Sequence, residues 1–187
     1  HVIEAIAHGL KEICFTEHRD FYFPGMDFSL NLPEYFQEIN RLQAEFKDKI
    51  KIKIGLEMGI DLRFKSEINQ FIDSAPFDFV IASVHEIGDI EVYDETEFYL
   101  QKTKEEAQRE YLLACLDVVQ NFENYNSFGH LDYVARYGPY TDKSIKFAEN
   151  REILFKILRA LASKEKALEI NTRLFDNPKT EQFYSDL

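Results

Sequence analysis

Three histidines and one glutamate recur in the same local setting along this chain. His18 follows Ile13-Cys14-Phe15-Thr16-Glu17, Glu57 closes the run from Ile52, His85 closes the run from Phe79, and His130 follows Ser127-Phe128-Gly129. Each run is short and apolar or alternating, as a β-strand is, so the four side chains are predicted just past the carboxyl ends of strands. One histidine in such a place is more often a hydrogen-bonded structural residue than a ligand. Three in equivalent places, with a carboxylate at a fourth, favour convergence on one mouth. Imidazole and carboxylate donors together suit zinc, iron or manganese. Two arginines follow the same strand ends: Arg136 lies six residues after His130, and Arg173 two after Asn171. A planar guanidinium fork beside such a mouth suits a phosphate or carboxylate, with an ordinary surface ion pair as the alternative. His1 and His8 fall in the first helix and read as surface residues.

The elements that must position these groups alternate strictly. Val2 to His8 is helical in pattern, with Gly9 as its stop. Strands ending at His18, Glu57 and His85 are separated by a helix that Asn31 caps and Pro33 opens, then by a short helix carrying Ile68, Phe71 and Ile72. A long helix through Ala107, Tyr111, Ala114, Cys115, Val118 and Phe122 precedes the strand at Phe128. Another, through Ile153, Leu154, Ile157, Leu158 and Leu161, precedes Ala167 to Asn171. Five β/α units predict parallel strands with right-handed crossovers, and in such folds active sites lie at the carboxyl ends of strands. The loops Phe21 to Phe28 and Asp89 to Glu97, one aromatic and one acidic, open on the same side. A closed barrel needs more than five strands. His1 and Leu187 both fall within helix-like sequence, so the expectation is one domain over residues 1–187, cut at both ends from a longer protein.

Composition limits what the mouth can meet. Of 187 residues 45% are hydrophobic, including 17 Phe and 10 Tyr, which suffices for a packed core. The net charge of −12 disfavours nucleic-acid backbone as the main partner, since that needs a basic face. No run approaches the roughly 18 apolar residues of a membrane span, and without a signal peptide the chain reads as cytoplasmic. Cys14 and Cys115, both in apolar runs, read as buried thiols rather than a disulfide. A serine nucleophile at Ser83 or Ser127 would lack the Gly-x-Ser-x-Gly elbow, and no glycine-rich nucleotide loop is present.

Thr16-Glu17-His18, Gly55-Leu56-Glu57, Ala82-Ser83-Val84-His85, Phe128-Gly129-His130-Leu131-Asp132 and Glu169-Ile170-Asn171 resemble, in order and spacing, the motifs of the polymerase and histidinol phosphatase (PHP) superfamily. Phe15-Thr16-Glu17-His18, the Ser-Val-His block and Gly-His-Leu-Asp are similar to its histidinol-phosphate phosphatase branch. The resemblance implies an α/β fold, a distorted seven-stranded TIM-like barrel of which the second to sixth units are present. It implies two or three divalent metal ions (Zn, Fe or Mn), held here by His18, Glu57, His85 and His130, with Glu57 as a bridge. It implies phosphate binding by Arg136 and Arg173, and orientation of the ligands by Asp132, Glu169 and Asn171. The family's first-strand His-x-His and last-strand Asp-x-His do not occur between His1 and Leu187.

The implied activity is hydrolysis of a small phosphomonoester, L-histidinol phosphate, in histidine biosynthesis, with metal-activated hydroxide as nucleophile and no residue acting covalently. Two alternatives stay open. One is a PHP phosphoesterase acting on nucleotides or nucleic-acid ends; the other is a non-catalytic metal-binding domain. An amidohydrolase-type barrel would want a strand-end lysine or bridging acid beside its His-x-His pair, and no such lysine is present.

Overall fold

The structure, a computed structural model, describes residues 1–21 and 29–174. Five strands, β1 (Glu12–Arg19), β2 (Lys51–Gly59), β3 (Phe79–Ser83), β6 (Ser127–Phe128) and β7 (Ala167–Leu168), form one sheet in the order β1-β2-β3-β6-β7. Every pairing in it is parallel, as strict β/α alternation requires. The sheet is open, with β1 and β7 at its edges. A closed seven-stranded barrel is not formed by the described residues. No described helix is long and apolar enough to cross a membrane.

Local sequence explains the helices that flank the sheet. Helix α2 (Leu32–Phe46) starts where the Asn31 side chain accepts a hydrogen bond from the Glu34 amide, with a proline in its first turn. Its Tyr35, Ile39 and Phe46 pack on Ile50, Ile52 and Ile54 at the β2 end of the sheet. The Tyr35 hydroxyl lies 2.8 Å from the Phe15 carbonyl and 2.9 Å from that of Gly55, tying α2 to β1 and β2. Helix α4 (Lys104–Asn121) opens on a capping box, in which the Thr103 side chain and the Glu106 side chain each accept the other's backbone N–H. Leu112, Cys115 and Val119 of α4 join Leu154 and Ile157 of α6 (Phe147–Ser163) in the main core. Leu56, Met58, Val80, Ala82 and Phe128 are the strand side chains of that core.

The strand ends differ from the sequence reading. β1 and β2 pair without interruption from Glu12↔Lys51 to Arg19↔Met58, so His18 and Glu57 lie inside strands, directly opposite each other. β6 and β7 stop after two residues each, short of His130 and Asn171. Within the expected acidic loop, β4 (Glu86–Ile87) and β5 (Ile90–Glu91) form an antiparallel hairpin turning at Gly88, φ 65°. A short helix, α5 (Tyr133–Tyr137), precedes the turn at Gly138-Pro139. Cys115 is buried but Cys14 is exposed. Cys14 alternates along an edge strand with Ile13 and Phe15, which pack toward α2, so it points to the opposite face. Of the aromatic loop only Phe21 is described; 22–28 lie outside the described residues.

Candidate metal-binding active site

Parallel pairing does the first part of the assembly. β2 lies between β1 and β3, so Glu57 has His18 as its partner on one side, with Nε2 and Oε2 2.9 Å apart. On the other side the chain leaving β3 brings His85, and the chain leaving β6 brings His130. His130 Nε2 is 2.8 Å and His85 Nε2 3.4 Å from Glu57 Oε1, and the Ser83 hydroxyl donates to the same oxygen at 2.9 Å. One carboxylate is thus ringed by three imidazoles from separate strands. Glycine permits the close approach at the β6 end: a Cβ at Gly129 would run into Ser83 Oγ and lie 2.9 Å from Ile81 Cγ2.

The donor set fits a cation. His85 Nε2 and His130 Nε2 stand 3.2 Å apart, both aimed at one carboxylate oxygen. His85 Nδ1 faces Asp20 Oδ1 at 2.8 Å. A carboxylate only accepts, so the His85 ring donates from Nδ1, and in its neutral form Nε2 keeps a lone pair. A lone pair against a carboxylate is repulsive unless a proton or a metal lies between them. Donor atoms of His18, Glu57 and His85 also fall within 4.8 Å of one another. The titration behaviour has the same cause. Burial would raise the Glu57 carboxyl, but hydrogen bonds from His130, His18 and His85 hold it well below the usual carboxylate range. Burial would lower His85, yet Asp20 and Glu57 push it up to about 9. The hydrogen bond to Glu57 raises His18 at the half-exposed mouth, whereas burial lowers His130.

Above this cluster lies a cleft of about 300 Å³. The four sequence-identified donors line it, as do Arg136, Asn171 and Arg173. The Arg136 side chain is only 8% exposed, and its Nε and Nη2 are buried without a hydrogen-bond partner among the described residues. Its nearest carboxylate, Asp132, is 3.7 Å away. Asp132 is itself buried and does not line the cleft. Glu169 acts from beneath, where its Oε2 accepts the His130 amide at 2.6 Å and the Asn171 side-chain amide at 3.4 Å. Asn171 Oδ1 accepts the Arg173 amide at 3.0 Å, which fixes the backbone under that arginine.

Sequence reasoning passed over four residues here. Asp20 is buried and bound to His85; being two residues beyond His18 on an extended chain, it shares that face, and period-two spacing could have found it. Tyr93, Tyr133 and Tyr137 form an aromatic wall. Tyr133 stacks on His130 with ring centres 4.7 Å apart, Tyr137 meets Tyr133 at 5.1 Å, and Tyr93 meets Tyr137 at 6.0 Å. Tyr93 follows a hairpin too short to leave a periodic signal.

The PHP domain family model matches residues 1–173. The chain belongs to the PHP domain family. Within that family it is 97% identical over all 187 residues to the histidinol-phosphatase of Lactococcus lactis, of which it spans 70%. A crystal structure of the histidinol phosphate phosphatase from that organism, complexed with zinc, L-histidinol and phosphate, superposes with a TM-score of 0.97 at 97% identity. The match covers all of this chain and 71% of that one. A structure from Listeria monocytogenes gives a TM-score of 0.73 at 18% identity, over 98% of this chain and 79% of its own, and speaks to the fold alone. This PHP chain falls in the histidinol-phosphatase branch.

Proposed function

We propose that this PHP chain is a metal-dependent phosphomonoesterase that hydrolyses L-histidinol phosphate to L-histidinol and inorganic phosphate, a step of histidine biosynthesis. One observation carries the chemistry: a carboxylate ringed by three imidazoles lies in the same cleft as a buried guanidinium with two unpartnered nitrogens. In this reading His18, Glu57, His85 and His130 hold divalent metal, with Glu57 offering both oxygens. A divalent ion there supplies Lewis acidity toward the phosphate and an activated water near neutral pH. The zinc, L-histidinol and phosphate of the Lactococcus crystal structure support both the metal and the substrate.

The chain's own groups divide the rest of the task. Arg136 and Arg173 bind the phosphate oxygens, and Arg136 gains partners it otherwise lacks. Asp132 and Glu169 orient Arg136 and His130, and Asn171 fixes the Arg173 backbone. Tyr93, Tyr133 and Tyr137 exclude water from one side and offer aromatic faces to the organic part of the substrate. The open parallel sheet then forms part of a PHP-type barrel comprising one domain, and the enzyme works in the cytoplasm on a small molecule rather than on nucleic acid.

Phosphate release from L-histidinol phosphate and from nucleoside monophosphates, with zinc added and after chelation, tests the proposal. Zinc-dependent release from histidinol phosphate in clear preference to the nucleotides is expected. Preference for nucleotides would favour the other phosphoesterase reading, and zinc binding without release from any monoester would overturn the assignment as an enzyme.

A further inference from the structure

We propose that Asp20 is the positioning residue for His85, and that Gly59 is the opening in β2 through which it reaches. Asp20 directly follows β1, whereas His85 leaves β3, so a full strand lies between them. Along the β1–β2 pairing Arg19 stands opposite Met58, and on the other side of β2 Gly59 stands opposite Ser83, two residues before His85. Any side chain at position 59 would fill the space between the two partners. A Cβ there would fall directly on Asp20 Oδ1 and lie 2.6 Å from Asp20 Cγ and 3.3 Å from His85 Nδ1. Without one, Asp20 Oδ1 and His85 Nδ1 meet at 2.8 Å, with both side chains at most 5% exposed.

The consequence is tautomer control. Accepting the Nδ1–H, Asp20 leaves the other ring nitrogen of His85 as the lone-pair donor and fixes the ring plane toward Glu57. Its neighbour has no equivalent: His130 Nδ1 is buried without a partner among the described residues. His85 is therefore the imidazole the protein holds in place, and His130 the one that a ligand must orient. Asp20 is itself braced, since its carbonyl accepts Arg19 Nη1 at 3.1 Å and the Arg19 guanidinium lies 4.6 Å from the centre of the Phe21 ring.

The inference rests on the metal reading above, and its test does not depend on turnover. Zinc affinity is measured by competition with a chromophoric chelator for the parent chain, Asp20→Ala, Asp20→Asn, Gly59→Ala and the Asp20→Ala/Gly59→Ala double variant. The ¹⁵N shifts of His85 are read in the zinc-free proteins. Removing a partner of this kind lowers metal affinity about 10- to 100-fold, and that loss is expected for Asp20→Ala. Gly59→Ala, which displaces Asp20 without removing it, should lose a similar factor. The double variant should be no worse than either single one, because both changes break the same contact. Asp20→Asn, whose amide oxygen still accepts, should fall between and serves if the alanine variant does not fold. His85 should carry its proton on Nδ1 in the parent and shift toward Nε2 in Asp20→Ala, a change that loosened packing alone would not produce. Zinc affinity within about twofold of the parent in Asp20→Ala, with the His85 tautomer unchanged, would overturn the inference. A parent chain that binds zinc but does not cleave histidinol phosphate would sink the substrate assignment and leave the Asp20 result standing. A parent chain that binds no zinc would overturn both.

Discussion

Replacing Arg136 by methionine should cost phosphate binding without costing the fold. The Arg136 side chain is 8% exposed, two of its nitrogens are buried without partners, and Asp132 at 3.7 Å is beyond hydrogen-bond distance. Each buried N–H left unpaired costs about 1–3 kcal/mol. The free protein therefore carries a penalty that a bound phosphate relieves. Hydrogen bonds to charged groups are worth about 1.5–3 kcal/mol, so losing this anchor should weaken phosphate binding roughly 10- to 150-fold. Methionine fills similar space with no polar atoms to satisfy. Its thermal midpoint in phosphate-free buffer should match or exceed the parent's. Calorimetric titration of inorganic phosphate into zinc-loaded protein reads the first effect, and melts with and without phosphate read the second. Phosphate should raise the parent's midpoint and leave the variant's nearly unchanged. Arg136→Lys keeps the charge but not the fork, and should recover only part of the affinity. Phosphate affinity within about threefold of the parent in Arg136→Met would refute the reasoning. So would a loss of about 3 kcal/mol or more in phosphate-free stability, which would mark the guanidinium as Asp132's structural partner instead.

Two further outcomes follow from the same geometry. Glu57→Gln removes the charge that three imidazoles share, and zinc affinity should fall by more than the roughly 100-fold upper range seen for supporting residues, as chelator competition would read. Leu154→Ala empties a fully buried position where α6 meets α4. It should destabilise by about 2–5 kcal/mol in urea titration while leaving zinc affinity unchanged, because the cavity is remote from the ligands.

Much of this arrangement was legible in residue order. Strict alternation of short apolar runs with helical ones implied a parallel sheet, and parallel strands bring like ends to one side, so His18, Glu57, His85 and His130 could be grouped before any coordinates. Register was not legible. Hydrophobic pattern cannot show that β1 and β2 keep pairing past Thr16 and Gly55, since backbone hydrogen bonds are indifferent to side chains. The face-to-face placement of His18 and Glu57 depends on that extension. Asp20 reads locally as the first polar residue of a loop. Its role emerges only once Gly59, two strands' worth of chain away, is known to leave space. The hairpin at Glu86–Glu91 has strands of two residues, too short for any periodic signature, so Tyr93 could not be placed. Cys14 was misread because an apolar run on an edge strand has one face turned from its helix, which composition does not reveal.

Zinc K-edge absorption on the zinc-loaded chain tests the central claim most directly. The account predicts a first shell of nitrogen and oxygen at about 2.0–2.1 Å, with the multiple-scattering signature of imidazole rings that is lost in Glu57→Gln. A shell of water oxygens alone, or a sulfur contribution near 2.3 Å from the cysteines, would contradict it.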